Sequence, residues 1–116
     1  MLYPKFIKLF LKYVKDHPNN ILLESINDKI TYKEFYNLCL KFKDYISQLS
    51  GNKTPIVCIL ESNKKFDYVS MIGTILAGGY YIPINKDMPI IKIRQVIKIC
   101  DANFLSTEKK IKLNSN

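Results

Sequence analysis

The sequence predicts an α/β fold of βαβαβ type: a mostly parallel sheet with flanking helices, preceded by an amphipathic helix at the N-terminus. Three observations predict it. Ile56-Val57-Cys58-Ile59-Leu60 is an uninterrupted apolar run of strand length, the pattern of a strand covered on both faces. Two further short apolar stretches alternate with it and with helical repeats. Strands and helices in that alternation return by right-handed crossovers to a parallel sheet. No internal repeat or linker divides the 116 residues, which is one domain's worth of chain.

Residues 3–15 carry Tyr3, Phe6, Ile7, Phe10, Leu11 and Val14 at helical spacing. Lys5, Lys8, Lys12 and Lys15 fall on another face of the same helix. The helix is expected to end before His17-Pro18, because the residue ahead of a proline avoids the α region. Such a helix either lies on an anionic membrane or docks on its own domain with its lysines in water. Docking is favoured, since the polar face carries no arginine and the rest of the chain supplies a core. Ile21-Leu22-Leu23 reads as a short strand, Asn27-Asp28 as a turn, and Lys29-Ile30 as a second extended piece. Thr31 and Glu34 have the spacing of a capping box, and Ile30 and Phe35 that of a hydrophobic staple. The helix that follows presents Phe35, Leu38, Cys39, Phe42, Tyr45, Ile46 and Leu49 as one apolar face, and Ser50-Gly51-Asn52 stops it.

Pro55 introduces the apolar strand 56–60, and Ser62-Asn63 supplies a turn and a cap. Residues 65–77 form a largely apolar helix that Gly78-Gly79 terminates. Tyr80-Tyr81-Ile82-Pro83-Ile84 is the next strand, and Pro83 places it at an edge or a strand end. Pro89 opens the next helix in its first turn, with Ile90, Ile93, Val96, Ile97 and Cys100 as the apolar face. Asn103-Phe104-Leu105-Ser106 is a final short strand. From Thr107 the chain is a polar tail, expected to be disordered at its end.

Composition removes several classes. Apolar residues at 47% and charged residues at 24% are ordinary globular values, and Gly 4 with Pro 5 excludes collagen-like and low-complexity chains. No run is long and apolar enough for a transmembrane helix, and Lys5, Lys8, Lys12 and Lys15 interrupt any signal-peptide core. Eighteen basic residues stand against 10 acidic ones, for a formal +8. Arg94 is the single arginine, and dedicated phosphate and base-edge readers favour arginine's planar fork. The excess therefore reads as a solvated basic surface, and nucleic acid is not the favoured partner. Cys39, Cys58 and Cys100 are odd in number, form no C-x-x-C pair and sit in apolar stretches. They read as buried free thiols in a reducing, cytoplasmic compartment. His17, the one histidine, stands in a loop where it reads as solvated, which argues against a metal site or a Ser-His-Asp triad.

Neither G-x-x-x-x-G-K-[ST] nor G-x-G-x-x-G is present. Gly78-Gly79 follows a helix and precedes a strand, the wrong side for a phosphate loop, so the pair reads as a helix stop before a sharp turn into the sheet. Glu61, at the carboxyl end of the buried strand, is in the place where α/β folds bind ligands. One carboxylate there is more simply a rim or turn residue. From the residues alone, no catalytic, cofactor-binding or metal-binding side chain is assigned.

Three segments carry a resemblance. Ile30-Thr31-Tyr32-Lys33-Glu34-Phe35 resembles the early L-T-Y-x-E-L core motif of adenylate-forming (AMP-binding) enzymes. Ile75-Leu76-Ala77-Gly78-Gly79-Tyr80-Tyr81-Ile82-Pro83-Ile84-Asn85 resembles the next, L-K-A-G-x-A-Y-V-P-I-D. Met88-Pro89, then Ile93-Arg94-Gln95-Val96-Ile97, then Asp101-Ala102-Asn103-Phe104-Leu105-Ser106 resemble its continuation in order and spacing. The resemblance spans roughly residues 3–107 and is nearest to the amino-acid adenylation branch: nonribosomal peptide synthetase adenylation domains and D-alanine–carrier protein ligases. Leu76 stands where the family often has Lys, Tyr80 where it often has Ala, and Asn85 where it has Asp; these bear on subfamily rather than fold.

The resemblance implies that residues 1–107 are the incomplete N-terminal portion of an AMP-binding domain, followed by a polar tail over 108–116. It implies a family reaction of ATP with a carboxylate to give acyl-adenylate and pyrophosphate, then transfer to a thiol, with ATP and Mg as the full-length family's cofactors. The family's phosphate loop, substrate-pocket and ribose-binding aspartates and C-terminal catalytic lysine map onto no residue here. The expectation is therefore a chain that binds no cofactor and catalyses nothing alone. Its partner would be the remainder of an adenylation enzyme, or a synthetase or carrier protein, and self-association through a cut sheet is possible. The alternatives are a stand-alone binding module on the same fold and a basic polyanion or membrane-surface binder.

Overall fold

The computed structural model describes residues 3–107, so the tail expected over 108–116 lies outside the described residues. The elements run α1 (Lys5–Asp16), β1 (Ile21–Ser25), β2 (Asp28–Thr31), α2 (Tyr32–Ser50), β3 (Ile56–Leu60), α3 (Lys64–Leu76), β4 (Tyr80–Ile84), α4 (Ile90–Cys100) and β5 (Phe104–Ser106). β1 and β2 pair as a separate antiparallel hairpin, while β4, β3 and β5 form a parallel sheet in that order. The α/β architecture is the one the alternation predicts.

β3 is central, which explains its unbroken apolar run. Val57 and Ile59 face one side, packed with Ile46, Phe42, Met71 and Phe104 from α2, α3 and β5. Cys58 and Leu60 face the other, packed with Ile84, Ile93, Val96 and Leu105. The chain passes from β3 through α3 to β4 on one side, then back through α4 to β5 on the other. Two right-handed crossovers in opposite directions place α3 and α4 on opposite faces. Pro83 lies on β4, an edge strand, where a residue without an N–H is tolerated.

Local chemistry fixes the junctions. Thr31 Oγ1 accepts from the Glu34 amide at 3.1 Å, and Glu34 Oε1 accepts from the Thr31 amide at 3.0 Å, completing the capping box. Ile30 and Phe35 are both buried in one cluster with Ile7, Cys39 and Leu76, so the staple forms part of the core. α1 docks on this cluster: Phe10 meets Phe35 edge-on with ring centroids 5.9 Å apart. Tyr3 Oη donates to the Leu76 carbonyl at 3.1 Å and ties the chain's start to the end of α3.

Two glycines are required. Gly78 has φ +81°, a left-handed turn at the end of α3. A Cβ on Gly79 would collide with the Pro55 carbonyl oxygen, the same oxygen that accepts from Tyr80 N at 2.9 Å. The pair is thus a helix stop followed by a close backbone crossing.

Several expectations are corrected. Tyr45 and Leu49, expected on the inner face of α2, are 63% and 58% exposed, because they lie on its flank toward the β5 edge and not over the sheet. Phe6 on α1 and Ile90 on α4 also face outward. Cys100 is only half-buried, whereas Cys39 and Cys58 are buried; all three thiols are free. Pro89 is the N-cap of α4 and not its first helical residue. β5 begins at Phe104, because Asn103 braces the sheet with its side chain: Oδ1 accepts from the Ile56 amide at 2.8 Å, and its own amide donates to the Ile56 carbonyl at 3.0 Å.

Candidate functional site

The place to look for a site is the carboxyl edge of the parallel sheet, where α/β folds gather ligands. Three chain segments meet there: Glu61-Ser62-Asn63 after β3, Asn85-Lys86-Asp87 after β4, and Thr107 after β5. Glu61 is exposed, and its Oε1 accepts from the Lys86 amide at 3.0 Å while its own amide donates to the Ile84 carbonyl at 2.9 Å. It therefore extends the β3–β4 pairing by one residue and clamps the following turn. Asn85 makes that turn itself: Oδ1 accepts from the Asp87 amide at 2.8 Å and its carbonyl from the Met88 amide at 3.0 Å.

The N-terminus of α3 is the natural anion position in this corner. The chain fills it. Asn63 Oδ1 accepts from the Phe66 amide at 2.8 Å, the N-cap bond. Asp67 sits in the first turn and accepts from the Ser62 amide at 3.1 and 3.2 Å and from Ser62 Oγ at 3.0 Å. A carboxylate already neutralises the positive end of the helix dipole. These residues do not fit a triphosphate: its oxygens would meet Asp67 and Glu61 with no glycine-rich backbone to receive them.

Behind this edge lies a small polar core. Ser70 Oγ and Ser106 Oγ are 2.8 Å apart and buried, Ser70 Oγ also reaches the Phe66 carbonyl at 3.0 Å, and Thr74 Oγ1 donates to the Ser70 carbonyl at 2.6 Å. These hydroxyls join α3 to β5. The periodicity reading missed them because Ser70, Thr74 and Gly73 interrupt an otherwise apolar helix face with small residues.

Surface grooves surround the sheet. One, of about 400 Å³, lies between the hairpin and the start of α3, crossed by the 2.9 Å ion pair of Lys65 with Asp28. Another, of about 390 Å³, is walled by Leu38, Phe42, Tyr45, Phe66 and Val69 between α2 and α3. It continues into a third of about 290 Å³ that runs past Leu49 and Phe104 to Thr107 at the β5 edge. Burial pushes the Cys39 thiol up to about 12 and the Cys58 thiol up to about 11, so neither is a nucleophile. Among the described residues no group of three or more His, Cys, Asp or Glu could hold a metal ion. His17 is exposed at the end of α1, its ring 4.6 Å from that of Tyr13.

The three motifs fall on junctions. The first covers the end of β2 and the cap of α2. The second covers the end of α3, the Gly78-Gly79 turn and β4. The third covers α4, the left-handed C-cap Asp101 (φ +56°) and β5. Each encodes a change of backbone direction, and none places a reactive side chain.

No protein-family model matches the chain. Curated relatives do: HC-toxin synthetase of Cochliobolus carbonum is 27% identical over 99 residues, covering 85% of this chain and 2% of that protein. Surfactin synthase subunit 1 of Bacillus subtilis is 22% identical over 112 residues, covering 96% of this chain and 3% of that protein. Gramicidin S synthase 1 of Brevibacillus brevis is 24% identical over 104 residues, covering 90% of this chain and 10% of that protein. The chain thus spans a few per cent of the length of the first two relatives and a tenth of the third.

Among solved structures, the Klebsiella oxytoca NpsA N-terminal subdomain superimposes with a TM-score of 0.76 at 22% identity, over 94% of this chain and 29% of that one. The anthranilate CoA ligase AuaEII, solved with anthranoyl-AMP, superimposes with a TM-score of 0.80 at 16% identity, over 90% of this chain and 20% of that one. In sequence the chain is similar to nonribosomal peptide synthetases over most of its own length, and in fold it is similar to the NpsA N-terminal subdomain and to the AuaEII ligase.

Proposed function

We propose that this chain is the N-terminal scaffold of an amino-acid-activating, ATP-dependent, acyl-adenylate-forming ligase, and that these 116 residues are catalytically silent by themselves. The carrying observation is the carboxyl edge of the sheet, where Asp67, Asn63 and Glu61 satisfy the turn and helix amides that a phosphate would need. The reaction of the whole enzyme would join a carboxylate oxygen to the α-phosphorus of ATP and release pyrophosphate. A thiol would then take the acyl group and release AMP. Charge developing on the phosphates needs a phosphate clamp and Mg, worth several kcal/mol in such transition states. ATP and Mg would therefore be held by the remainder of the enzyme.

In this reading the chain's own residues act as a frame. Asn103, Gly79 and the capping box set the strand ends and helix starts on which the rest is built. The partner would be the remainder of an adenylation enzyme, or a synthetase or carrier protein, in the cytoplasm. The groove between α2 and α3 supports such a partner, since Leu38, Phe42, Tyr45, Phe66 and Val69 present apolar side chains in a surface cleft. The test is amino-acid-dependent ATP–pyrophosphate exchange by the purified 116-residue chain. Background rates with every amino acid are expected; exchange above background overturns the silence.

A further inference from the structure

Helix α1 is apolar over a much wider arc than its docking uses. At 100° per residue, Ile7, Phe10, Leu11 and Val14 form the inward stripe, and Ile7 and Val14 are buried. Phe6, Leu9 and Tyr13 form a second stripe beside it, exposed by 53%, 59% and 40%. Lys5, Lys8, Lys12 and Lys15, all exposed, occupy the arc on the far side of that second stripe. Asp16 is the one acidic residue of the helix. The exposed face therefore pairs two large apolar side chains and a tyrosine with a row of four cations.

We propose that this face of α1 binds the surface of an anionic lipid bilayer, with Phe6 and Leu9 inserted at the headgroup level and the four lysines against the lipid charges. The pattern is that of an interfacial helix: low net hydrophobicity, lysines on one arc and Phe and Leu on the next. Tyr13, at the edge of this stripe, packs its ring against Tyr32 and His17 and accepts from Asn20 Nδ2, so Phe6 and Leu9 are the insertable pair. Charge complementarity names the partner. Four lysines on one arc, each a compact point charge, suit a diffuse anionic surface. The inward stripe keeps α1 on the core through Phe10 and Phe35 while the outer stripe is engaged, so no part of the fold must open. The proposal is independent of the adenylation-domain reading.

The sequence contains no tryptophan, so Phe6→Trp gives a single fluorescent reporter. The full chain is mixed with vesicles of phosphatidylcholine alone, or of phosphatidylcholine with 30% phosphatidylserine, and bound protein is measured by sedimentation. Binding to the phosphatidylserine vesicles, weaker by at least tenfold on phosphatidylcholine alone and falling with salt, is expected. The indole emission of the Phe6→Trp variant should shift to the blue on the same vesicles. Phe6→Ser with Leu9→Ser, and separately Lys8→Glu with Lys12→Glu, should each reduce binding at least tenfold. All four positions are exposed, so thermal melts should match the parent protein. Failure to bind phosphatidylserine vesicles at low salt overturns the proposal. Binding that survives Phe6→Ser with Leu9→Ser also overturns it, as does unshifted indole emission from Phe6→Trp, because adsorption would then be the work of the net charge alone.

Discussion

The two faces of the parallel sheet are covered differently. On one face, α2 and α3 form a double layer over Val57 and Ile59, drawn close by small residues. Gly73 lets α3 approach so near that a Cβ would lie 2.8 Å from Phe42 Cδ1 and 3.0 Å from the Cys39 carbonyl oxygen. Ser70 and Thr74 sit beside it and bond inward. On the other face, α4 and the turn before it cover Cys58, Leu60 and Ile84, with Ile93, Val96 and Ile97 from the helix and Met88 from the turn. One face is held by close backbone approach and hydroxyl bonds, the other by ordinary apolar filling. The first has little room to give, whereas the second can repack.

Substitutions that change volume by one or two methyl groups separate the faces most sharply. Gly79→Ala, at the backbone crossing between the end of α3 and Pro55, should cost about 3 kcal/mol or abolish folding, since its Cβ meets a backbone carbonyl that cannot swing away. Gly73→Ala should cost about 1–3 kcal/mol, part of it relieved by rotation of Phe42. Ile93→Val removes one methylene from the α4 face and should cost about 0.5–1.5 kcal/mol. Urea denaturation of the three variants measures the order. If Ile93→Val proves as costly as Gly73→Ala, the contrast between the faces is lost.

The hydroxyl bonds give the next largest effect. Ser70→Ala leaves the Ser106 hydroxyl buried with its 2.8 Å partner gone and should cost about 1–2 kcal/mol. Ser106→Ala should cost less, because Ser70 keeps the Phe66 carbonyl. The double variant should be less destabilised than the sum of the two, by about 0.5 kcal/mol or more. Strict additivity would mean that the two hydroxyls do not interact in solution.

Apolar runs and helical repeats made the presence and type of the elements legible. β3 declares itself by five apolar residues, and α2 by a cap that depends on one side chain reaching three residues along the chain. The small-residue contacts were hidden because they depend on what lies opposite. Nothing near Gly73 in sequence predicts Phe42, and nothing near Gly79 predicts the Pro55 carbonyl. Outward-facing Tyr45, Leu49 and Phe6 were misjudged for a related reason: an apolar side chain at helical spacing reports that a face exists, not that this chain covers it. The catalytic vocabulary was absent from the residues, and the identity rested on the order of three motifs. Those motifs turn out to specify backbone direction, which explains why no spacing of reactive groups revealed them.

The smallest effect concerns the start of α2, which backs only the tight face. Thr31→Ala removes the hydroxyl that accepts from the Glu34 amide and should cost about 1 kcal/mol. The reciprocal bond can be read by pH. Acceptance of the Thr31 amide, and the Thr31 side chain beside it, hold the Glu34 carboxyl below its ordinary value of 4.5. A carboxyl lowered on folding stabilises the protein above the unfolded value, and that contribution disappears as the pH falls through the folded value. Glu34→Gln should therefore flatten the acid limb of the stability curve below about pH 4.5, while leaving its slope near neutrality unchanged. Hydrogen exchange sharpens the test: the first turn of α2 should exchange faster in Thr31→Ala, with α4 unaffected. Equal acceleration in α4 would show that the two faces unfold as one unit and that their difference in packing carries no difference in local stability.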